Sequence, residues 1–364
     1  MLDSIYNNIV SCIQANKYNF LGFDNIDHQK INSLGTKLRA TFDTAVIVGL
    51  GASSLNVRVL VSALTSPTKK VLYLDSLDQV EINEQLKSIN PSRTVFFSLS
   101  RSGNTNETYL LTEYVLNILC IPPEQVYIIA PSSDNLLFNL SKSQLTNYFE
   151  HDKILSGRFG IFTNATLLPA VFLGVDIHKI LSAAKDKISN IMLETKSTVC
   201  QEARYYLDNY SSNRHILILF NYCYQLDGLY RWQQQIIAES LGKNNFGITP
   251  VISKGTFDQH SQLQLYLEGP DDKFYRIITH NQTGSAIALS LASHADNIYN
   301  ALLSTKRPVT LENYADINEQ IIVEKVIDTM LVVMLVADSL QINPFDQPSV
   351  DKYKRRELGI KVYP

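Results

Sequence analysis

The fold is decided by the stretch Val95-Phe96-Phe97-Ser98-Leu99-Ser100-Arg101-Ser102-Gly103-Asn104-Thr105-Asn106-Glu107-Thr108. The apolar residues at its start, together with Thr94 before them, predict a buried strand from Thr94 to Leu99. Small and polar residues follow, and leucines and tyrosines at helical spacing then predict a helix from Glu107 to Leu119. A strand that runs through a turn into a helix is the unit from which parallel α/β sheets are built.

The turn in this stretch has the chemistry of a phosphate site. The N-terminus of the next helix offers unpaired N–H groups and a partial positive charge. Ser100, Ser102 and Thr105 add hydroxyl donors, and Gly103 allows close approach of the backbone. The alternative is an ordinary turn that Thr105 caps. The spacing of a Walker loop is absent, so the prediction is a phosphate site of another kind.

A second glycine-rich turn lies earlier in the chain. The apolar run from Thr44 to Leu50 predicts a strand, and Gly49-Leu50-Gly51-Ala52-Ser53-Ser54 leads from it into a helix. A dinucleotide site is an alternative, because Asp75 stands near the place of a ribose-binding acid, but the third glycine of that fingerprint is absent. Ligands bind at the carboxyl ends of parallel strands, where Ser53 and Ser100 are both expected.

Strands and helices alternate along the rest of the chain, which predicts an α/β fold with two doubly wound parallel sheets. The further predicted strands are Val71–Leu74, Gln125–Ala130, His215–Phe220, Gly247–Ile252, Phe274–Ile278 and Pro308–Leu311. We expect an N-terminal helical segment over 1–40, a first domain over 41–195, a second over 196–345 and a short C-terminal segment over 346–364.

Composition limits the classes of partner. The chain has 364 residues, of which 45% are hydrophobic, and this is enough for two α/β cores. A net charge of −3 predicts no nucleic-acid partner. The longest apolar run, Met330–Ala337, is too short to span a bilayer, and no signal peptide is evident. Four widely separated cysteines without metal spacing favour a reduced, cytoplasmic protein.

A glutamate near the end of a predicted helix is a candidate general base. It lies in Gln235-Ile236-Ile237-Ala238-Glu239-Ser240-Leu241-Gly242-Lys243. Gln235 and Glu239 are four residues apart and therefore share one helix face. A carboxylate among apolar neighbours is suited to proton transfer. The alternative is a solvated glutamate at a helix end.

A dense polar cluster, Asp258-Gln259-His260-Ser261, precedes an apolar helix. His260 is a candidate general acid or base near neutral pH, and a structural histidine is the alternative. A metal pair with Asp258 lacks any supporting ligand spacing. No other histidine has a comparable setting. Arg158 is a candidate for contact with an oxyanion, whereas Lys354 lies in a basic tail where a solvated charge is the default.

Six segments in order resemble the glucose-6-phosphate isomerases, which are built from paired sugar isomerase domains of three-layer α/β/α architecture. Two are the turns already quoted, and two are the segments of Glu239 and His260. The others are Ser156-Gly157-Arg158-Phe159 and Asn343-Pro344-Phe345-Asp346-Gln347-Pro348. The resemblance implies interconversion of glucose 6-phosphate and fructose 6-phosphate without a metal or other cofactor.

The resemblance also implies roles for individual residues. Glu239 would move a proton between C2 and C1, and Arg158 would stabilise a cis-enediolate. His260 would open the sugar ring from the neighbouring subunit of a homodimer, with help from Lys354. The implied substrate-binding residues are Gly51, Ser53, Ser100, Arg101, Ser102, Thr105, Gly157 and Gln235.

The chain departs from the family pattern at four positions. The residues Asn56 and Ser156 stand where glycines are expected, Tyr353 replaces a third glycine, and Asp351 replaces a glutamate. Two other functions stay open at this point. One is an isomerase that also accepts mannose 6-phosphate, and the other is a non-catalytic sensor of sugar phosphates, which would need neither Glu239 nor His260.

Overall fold

The structure is a computed structural model that describes residues 2–15, 27–65, 68–151, 156–191, 196–281 and 284–357. The strands are β1 (Thr44–Val48), β2 (Lys70–Leu74), β3 (Thr94–Leu99), β4 (Val126–Ala130), β5 (Asn147–Glu150), β6 (Ile216–Asn221), β7 (Thr249–Lys254), β8 (Lys273–His280) and β9 (Val309–Tyr314). The helices are α1 (Leu2–Gln14), α2 (His28–Thr41), α3 (Ala52–Leu64), α4 (Gln79–Leu86), α5 (Asn106–Glu113), α6 (Leu136–Gln144), α7 (Asn164–Leu173), α8 (Ile177–Asn190), α9 (Lys196–Ser211), α10 (Asp227–Leu241), α11 (Leu263–Glu268), α12 (Ala286–Ser304), α13 (Glu319–Ser339) and α14 (Pro348–Glu357).

The strands form two parallel sheets, which confirms the predicted fold class. The first sheet has the order β2-β1-β3-β4-β5 and the second the order β7-β6-β8-β9. In both sheets the strand order reverses beside the first strand, β1 or β6. At such a reversal the connections leave in opposite directions and open a crevice outside the carboxyl ends.

The central strands of the first sheet are buried on both faces, as their continuous apolar sequences predict. On one face Val46, Phe96 and Ile128 pack against residues of α5 and α6 in a single cluster. On the other face the rings of Phe97 and Phe172 lie 6.1 Å apart, which places α7 against β3. Helices therefore cover both faces of this sheet.

The described residues group into two compact units. The first unit takes those within Tyr18–Val61, Thr65–Leu181 and Phe345–Pro364, and the second those within Met1–Lys17, Ser62–Leu64 and Ser182–Pro344. Thus α1 groups with the second sheet, and α14 groups with the first. The division into domains drawn from the sequence remains a prediction.

Every predicted strand overlaps an observed strand, and Thr94–Leu99 matches β3 at both ends. The helix expected to reach Leu119 is regular only to Glu113 and continues as a wider π turn over Tyr114–Ile118. The edge strand β5 was not predicted, because its sequence Asn-Tyr-Phe-Glu is short and half polar. No helix within the described residues is long and apolar enough to cross a membrane.

Four charged side chains lie together on one face of the second sheet, where Arg276 is buried and Glu202, Glu312 and Lys325 are half-buried. Arg276 Nη1 lies 2.9 Å from Glu202 Oε1, and Arg276 Nε lies 3.6 Å from Glu312 Oε2. Lys325 Nζ lies 2.8 Å from Glu312 Oε1 and 3.5 Å from Glu202 Oε2. Burial disfavours the charged carboxyl of Glu202, but Arg276 and Lys325 outweigh this and hold its pKa at about 2. The cluster joins α9, β8, β9 and α13, and its two positive side chains balance its two carboxylates. The helix α10 packs against α13.

Replacing the central arginine should destabilise the protein strongly. Arg276→Met leaves two carboxylates, whose side chains are only 15% and 21% exposed, with one lysine, and we expect the free energy of unfolding at pH 7 to fall by about 3–5 kcal/mol. Urea unfolding measures this change. The matched control is Arg231→Met, which removes an exposed ion pair with Asp227 and should cost less than about 1 kcal/mol.

The pH dependence provides a second check on this cluster. Because the folded pKa of Glu202 lies below its ordinary value, the ionic contribution is complete above about pH 4.3 and is lost as the pH falls toward 2. The difference in stability between wild type and Arg276→Met should therefore narrow over that range. Equal losses of stability in Arg276→Met and in the control Arg231→Met at pH 7 would contradict this account of the cluster.

Candidate functional site

Three hydroxyl groups after β3 form a small triangle. Ser100 Oγ lies 3.1 Å from Thr105 Oγ1, and Ser102 Oγ lies 3.5 Å from each of these two oxygens. Thr105 is the N-cap residue of α5, but its side chain makes no capping hydrogen bond to that helix within the described residues. The alternative in which Thr105 serves only as a cap is therefore not supported.

Backbone amides orient two of these hydroxyls. Gly103 N donates to Ser100 Oγ over 3.1 Å, and Asn104 N donates to Ser102 Oγ over 3.2 Å. An oxygen that already accepts an amide hydrogen keeps its own O–H for donation. The triangle lies at the N-terminus of α5, whose first amides have no partners inside the helix. Hydroxyl donors and helix amides together suit an anionic phosphate.

The beginning of α6 supports this turn. Leu136 N donates to Asn104 Oδ1 over 3.1 Å, and Leu137 N donates to the Gly103 carbonyl over 3.1 Å. Gly103 has a φ of +68°, and a Cβ atom there would lie 2.1 Å from Asn135 Oδ1. Neither Asn135 nor Asn104 is among the predicted site residues, although Asn135 follows a Pro-Ser-Ser-Asp run whose residues are typical of a structured turn.

The loop after β1 lies beside the loop after β3. A Cβ atom at Gly49 would lie 2.9 Å from the Leu99 carbonyl oxygen, so the two strand ends approach as closely as glycine allows. Ser53 is half-buried at the start of α3. Asp75, the candidate ribose-binding acid of the dinucleotide alternative, instead accepts a hydrogen bond from Ser54 Oγ and pairs with Arg58 over 2.8 Å.

A third loop reaches the same place. A Cβ atom at Gly157 would lie 3.4 Å from Ala52 Cβ and 3.8 Å from Arg101 Cδ, so the structure brings together the predicted residues Gly51, Ser53, Ser100–Thr105 and Gly157. Asn56, at a position where the family pattern has glycine, donates from Nδ2 to the Gly157 carbonyl over 3.0 Å.

Arg158 is buried, with 1% of its surface exposed. Its Nη2 donates to the Asp346 carbonyl over 3.1 Å, and its Nη1 lies 3.4 Å from Gln347 Oε1. The rings of Phe159 and Phe345 are 5.1 Å apart, so the two segments pack together. Lys354 lies within α14, and its side chain is outside the described part of the chain.

In the second unit, Gln235 and Glu239 face the same side of α10, as their spacing predicts. Gln235 Nε2 donates to Glu239 Oε1 over 3.0 Å. The Gln235 Oε1 atom is buried and has no hydrogen-bond partner in the part of the chain that the structure describes. A buried amide oxygen without a partner is costly unless a ligand or water supplies a donor. This pair therefore presents a fixed carboxylate beside an unused acceptor.

His260 is exposed at the end of a one-turn helix, Phe257–Gln259. The metal pair with Asp258 is not supported, because both carboxylate oxygens of Asp258 accept hydrogen bonds from Lys254 N and Ser261 Oγ. No group of three or more metal-ligating side chains occurs among the described residues. His294, which had no notable setting in the sequence, lies 3.2 Å from Gln259 through its Nδ1 atom.

Comparison of the sequence with known proteins gives one consistent family. The family model described as phosphoglucose isomerase matches residues 29–266. A probable glucose-6-phosphate isomerase from Methanococcus maripaludis is 28% identical over 342 residues, which cover 86% of this chain and 77% of that protein. A glucose-6-phosphate isomerase from Methanocaldococcus jannaschii is 31% identical over 240 residues, which cover 64% of this chain and 59% of that protein.

Solved structures share the fold over nearly the whole chain. A hypothetical protein from Thermus thermophilus superposes with a TM-score of 0.84 at 21% identity, covering 98% of this chain and 94% of that one. A glucose-6-phosphate isomerase from Chlamydia trachomatis superposes with a TM-score of 0.76 at 19% identity, covering 92% of this chain and 74% of that one.

Removing two corners of the hydroxyl triangle should weaken anion binding. Ser100→Ala combined with Thr105→Ala deletes two donors to a charged group, each worth about 1.5–3 kcal/mol. We expect affinity for 6-phosphogluconate, measured by calorimetry, to fall by at least about 100-fold. The control is Thr41→Ala with Ser143→Ala, whose hydroxyls donate to carbonyls of their own helices. Equal affinity in both double variants would place the phosphate site elsewhere.

Proposed function

The chain belongs to the phosphoglucose isomerase family, and we propose that it interconverts glucose 6-phosphate and fructose 6-phosphate. The observation that carries the proposal is the hydroxyl triangle of Ser100, Ser102 and Thr105 at the N-terminus of α5. It offers oriented donors at the place in a doubly wound sheet where ligands bind. The substrates of this family are sugar phosphates, and these donors suit the phosphate group of such a substrate.

Aldose–ketose isomerisation moves one proton between C2 and C1 and a second proton from the hydroxyl on one of these carbons to the carbonyl oxygen on the other, and it passes through an enediolate. The reaction needs a base that takes the proton from one carbon and returns it to the other. We assign this role to Glu239, because Gln235 Nε2 holds one of its carboxylate oxygens through a 3.0 Å hydrogen bond. A carboxylate whose geometry is fixed loses little freedom when it meets the substrate.

The other assigned roles follow the same chemistry. Arg158 has a permanent positive charge and, as its bonds to the Asp346 carbonyl and Gln347 hold it, would stabilise the negative charge of the enediolate without reorganising. In ring opening the ring oxygen gains a proton as its bond to the anomeric carbon breaks, and the anomeric hydroxyl releases one. We assign this exchange to His260, with Lys354 assisting.

The proposal includes no metal or other cofactor, because proton transfer by side chains accounts for the reaction. It places the protein in the cytoplasm, which the free thiols of Cys12, Cys120 and Cys223 favour. The direct test is an assay of the purified protein in EDTA with glucose 6-phosphate, fructose 6-phosphate and mannose 6-phosphate. Activity on the first two supports the proposal, and activity that only Zn²⁺ or Mn²⁺ restores contradicts its metal-free part.

Changing the base to an amide should abolish most turnover. Glu239→Gln keeps the shape of the side chain but cannot accept a proton, so we expect kcat to fall by about 10²–10⁴-fold. Affinity for 6-phosphogluconate should remain, since the hydroxyl triangle is unchanged. The control is Glu268→Gln, which alters an exposed glutamate with its own glutamine partner, Gln264, four residues earlier in α11. A Glu239→Gln enzyme as active as this control would refute the assignment.

The proposal also includes a homodimer in which each chain lends His260 to the other. A two-fold interface is self-complementary, so two equivalent shared sites form together. The exposed positions of His260 and of Phe257, which is 71% exposed, support this proposal, because an apolar ring beside a polar turn suits a partner surface.

Mixing two inactive proteins tests the shared site. Glu239→Gln and His260→Ala are unfolded and refolded together in equal amounts. In a mixed dimer one site has both defects and the other has neither, so activity should reach about a quarter of wild type for random pairing. Each variant refolded alone is the control, and its activity is subtracted. A mixture that stays inactive, with mixed dimers confirmed by mass, would exclude sharing.

A further inference from the structure

The residues on either side of His260 are held by hydrogen bonds. Asp258 Oδ2 accepts from Lys254 N over 2.6 Å, and Asp258 Oδ1 accepts from Ser261 Oγ over 2.8 Å. His260 N donates to the Phe257 carbonyl over 3.1 Å, which closes the turn. The backbone around His260 is therefore fixed by contacts on both sides.

Gln259, the neighbour of His260, bridges two parts of the chain that are far apart in sequence. Tyr222, just after β6, donates its hydroxyl to Gln259 Oε1 over 2.9 Å. On the other side Gln259 Nε2 lies 3.2 Å from Nδ1 of His294, on α12. Both ends of the Gln259 amide are thus engaged, and this fixes the side chain adjacent to His260.

Tyr222 is a rigid anchor for this bridge. Only 4% of its surface is exposed, and its ring lies 5.2 Å from that of Phe220. A Cβ atom at Gly255 would lie 2.4 Å from Tyr222 Cδ1, so the ring packs directly against the backbone at the start of the His260 turn. Burial raises the pKa of Tyr222 and keeps the phenol protonated, hence a hydrogen-bond donor.

His260 itself differs from these neighbours. It is exposed, and no hydrogen bond to its imidazole occurs within the described ranges of the chain. A histidine that served the fold would use its ring nitrogens in the fold. Here the surrounding residues supply the structural contacts and leave both nitrogens of His260 available.

We propose that Tyr222, Gln259 and His294 are positioning residues, which hold the turn so that the imidazole of His260 meets the sugar ring in a fixed orientation. The inference rests on the role of His260 in the proposed function. Orientation matters because a misplacement of about 1 Å can reduce a rate by about 100-fold. Tyr222 and His294 each contact Gln259, and none of the three residues needs to contact the substrate.

The test compares Tyr222→Phe, Gln259→Ala and His294→Ala with wild type in the whole protein. Tyr222→Phe keeps the buried ring and removes only the hydroxyl, so it tests the bridge without a cavity. We expect kcat with fructose 6-phosphate to fall by about 10- to 100-fold in each variant. The KM and the Kd for 6-phosphogluconate should change less than about twofold, because the phosphate site is untouched.

Two comparisons separate positioning from general damage. His294→Asn places an amide oxygen near the position of Nδ1 and should recover most of the kcat that His294→Ala loses. Gln264→Ala is the matched control for Gln259→Ala and should keep wild-type kcat. Among the described residues the exposed Gln264 amide bonds only to Glu268, on the solvent-facing side of α11. A loss of kcat accompanied by an equal loss of 6-phosphogluconate affinity would assign the three residues to stability alone and overturn the proposal.

Hydrogen exchange gives a readout that does not depend on activity. The amides of residues 254–262 should exchange faster in Tyr222→Phe, Gln259→Ala and His294→Ala than in wild type or Gln264→Ala. Unchanged exchange, or unchanged kcat, would overturn the positioning role. A folded wild type without isomerase activity would instead refute the proposed function, and exchange would then decide only whether the bridge holds the turn.

Discussion

The candidate site of the first unit depends on the close approach of two strand ends. β1 and β3 are neighbours because the strand order reverses at β1, and their loops therefore leave the sheet side by side. Gly49 makes the approach possible, since any side chain there would collide with the Leu99 carbonyl. With the two loops this close, Gly157 of a third loop packs against both. The hydroxyl triangle lies in the second of these loops, beside the first.

Polar side chains that never need to meet a ligand give both the loop after β3 and the His260 turn their shape. Asn104 and the backbone at Gly103 join the loop after β3 to α6, while the serine hydroxyls accept amide hydrogens, so their own O–H groups can donate to a neighbouring hydroxyl or to a ligand. Asp258 and Gln259 do the equivalent work around His260. In each case the supporting residues use up their own hydrogen-bonding capacity, which leaves the functional group free to meet a ligand in a defined direction.

The sequence by itself determined the elements and the chemical character of their ends. Thr94–Leu99 is predicted as a strand because an apolar run of six residues between turns has the length of a buried strand and is too short for a typical helix. Gln235 and Glu239 are paired because helical spacing is local geometry. The strand β5 was not predicted, because an edge strand needs less apolar sequence than a buried strand. Local periodicity does not report which elements become neighbours.

Tertiary structure alone decided the contacts between distant positions. Tyr222 and Gln259 are 37 residues apart and Gln259 and His294 are 35 apart, so no spacing rule connects them. Asn135 likewise reaches Gly103 only because α6 follows the strand beside β3. The physical reason is that a hydrogen bond requires its two atoms within about 3 Å. For residues far apart in the chain, only the packing of the sheet and its helices brings the atoms to that distance.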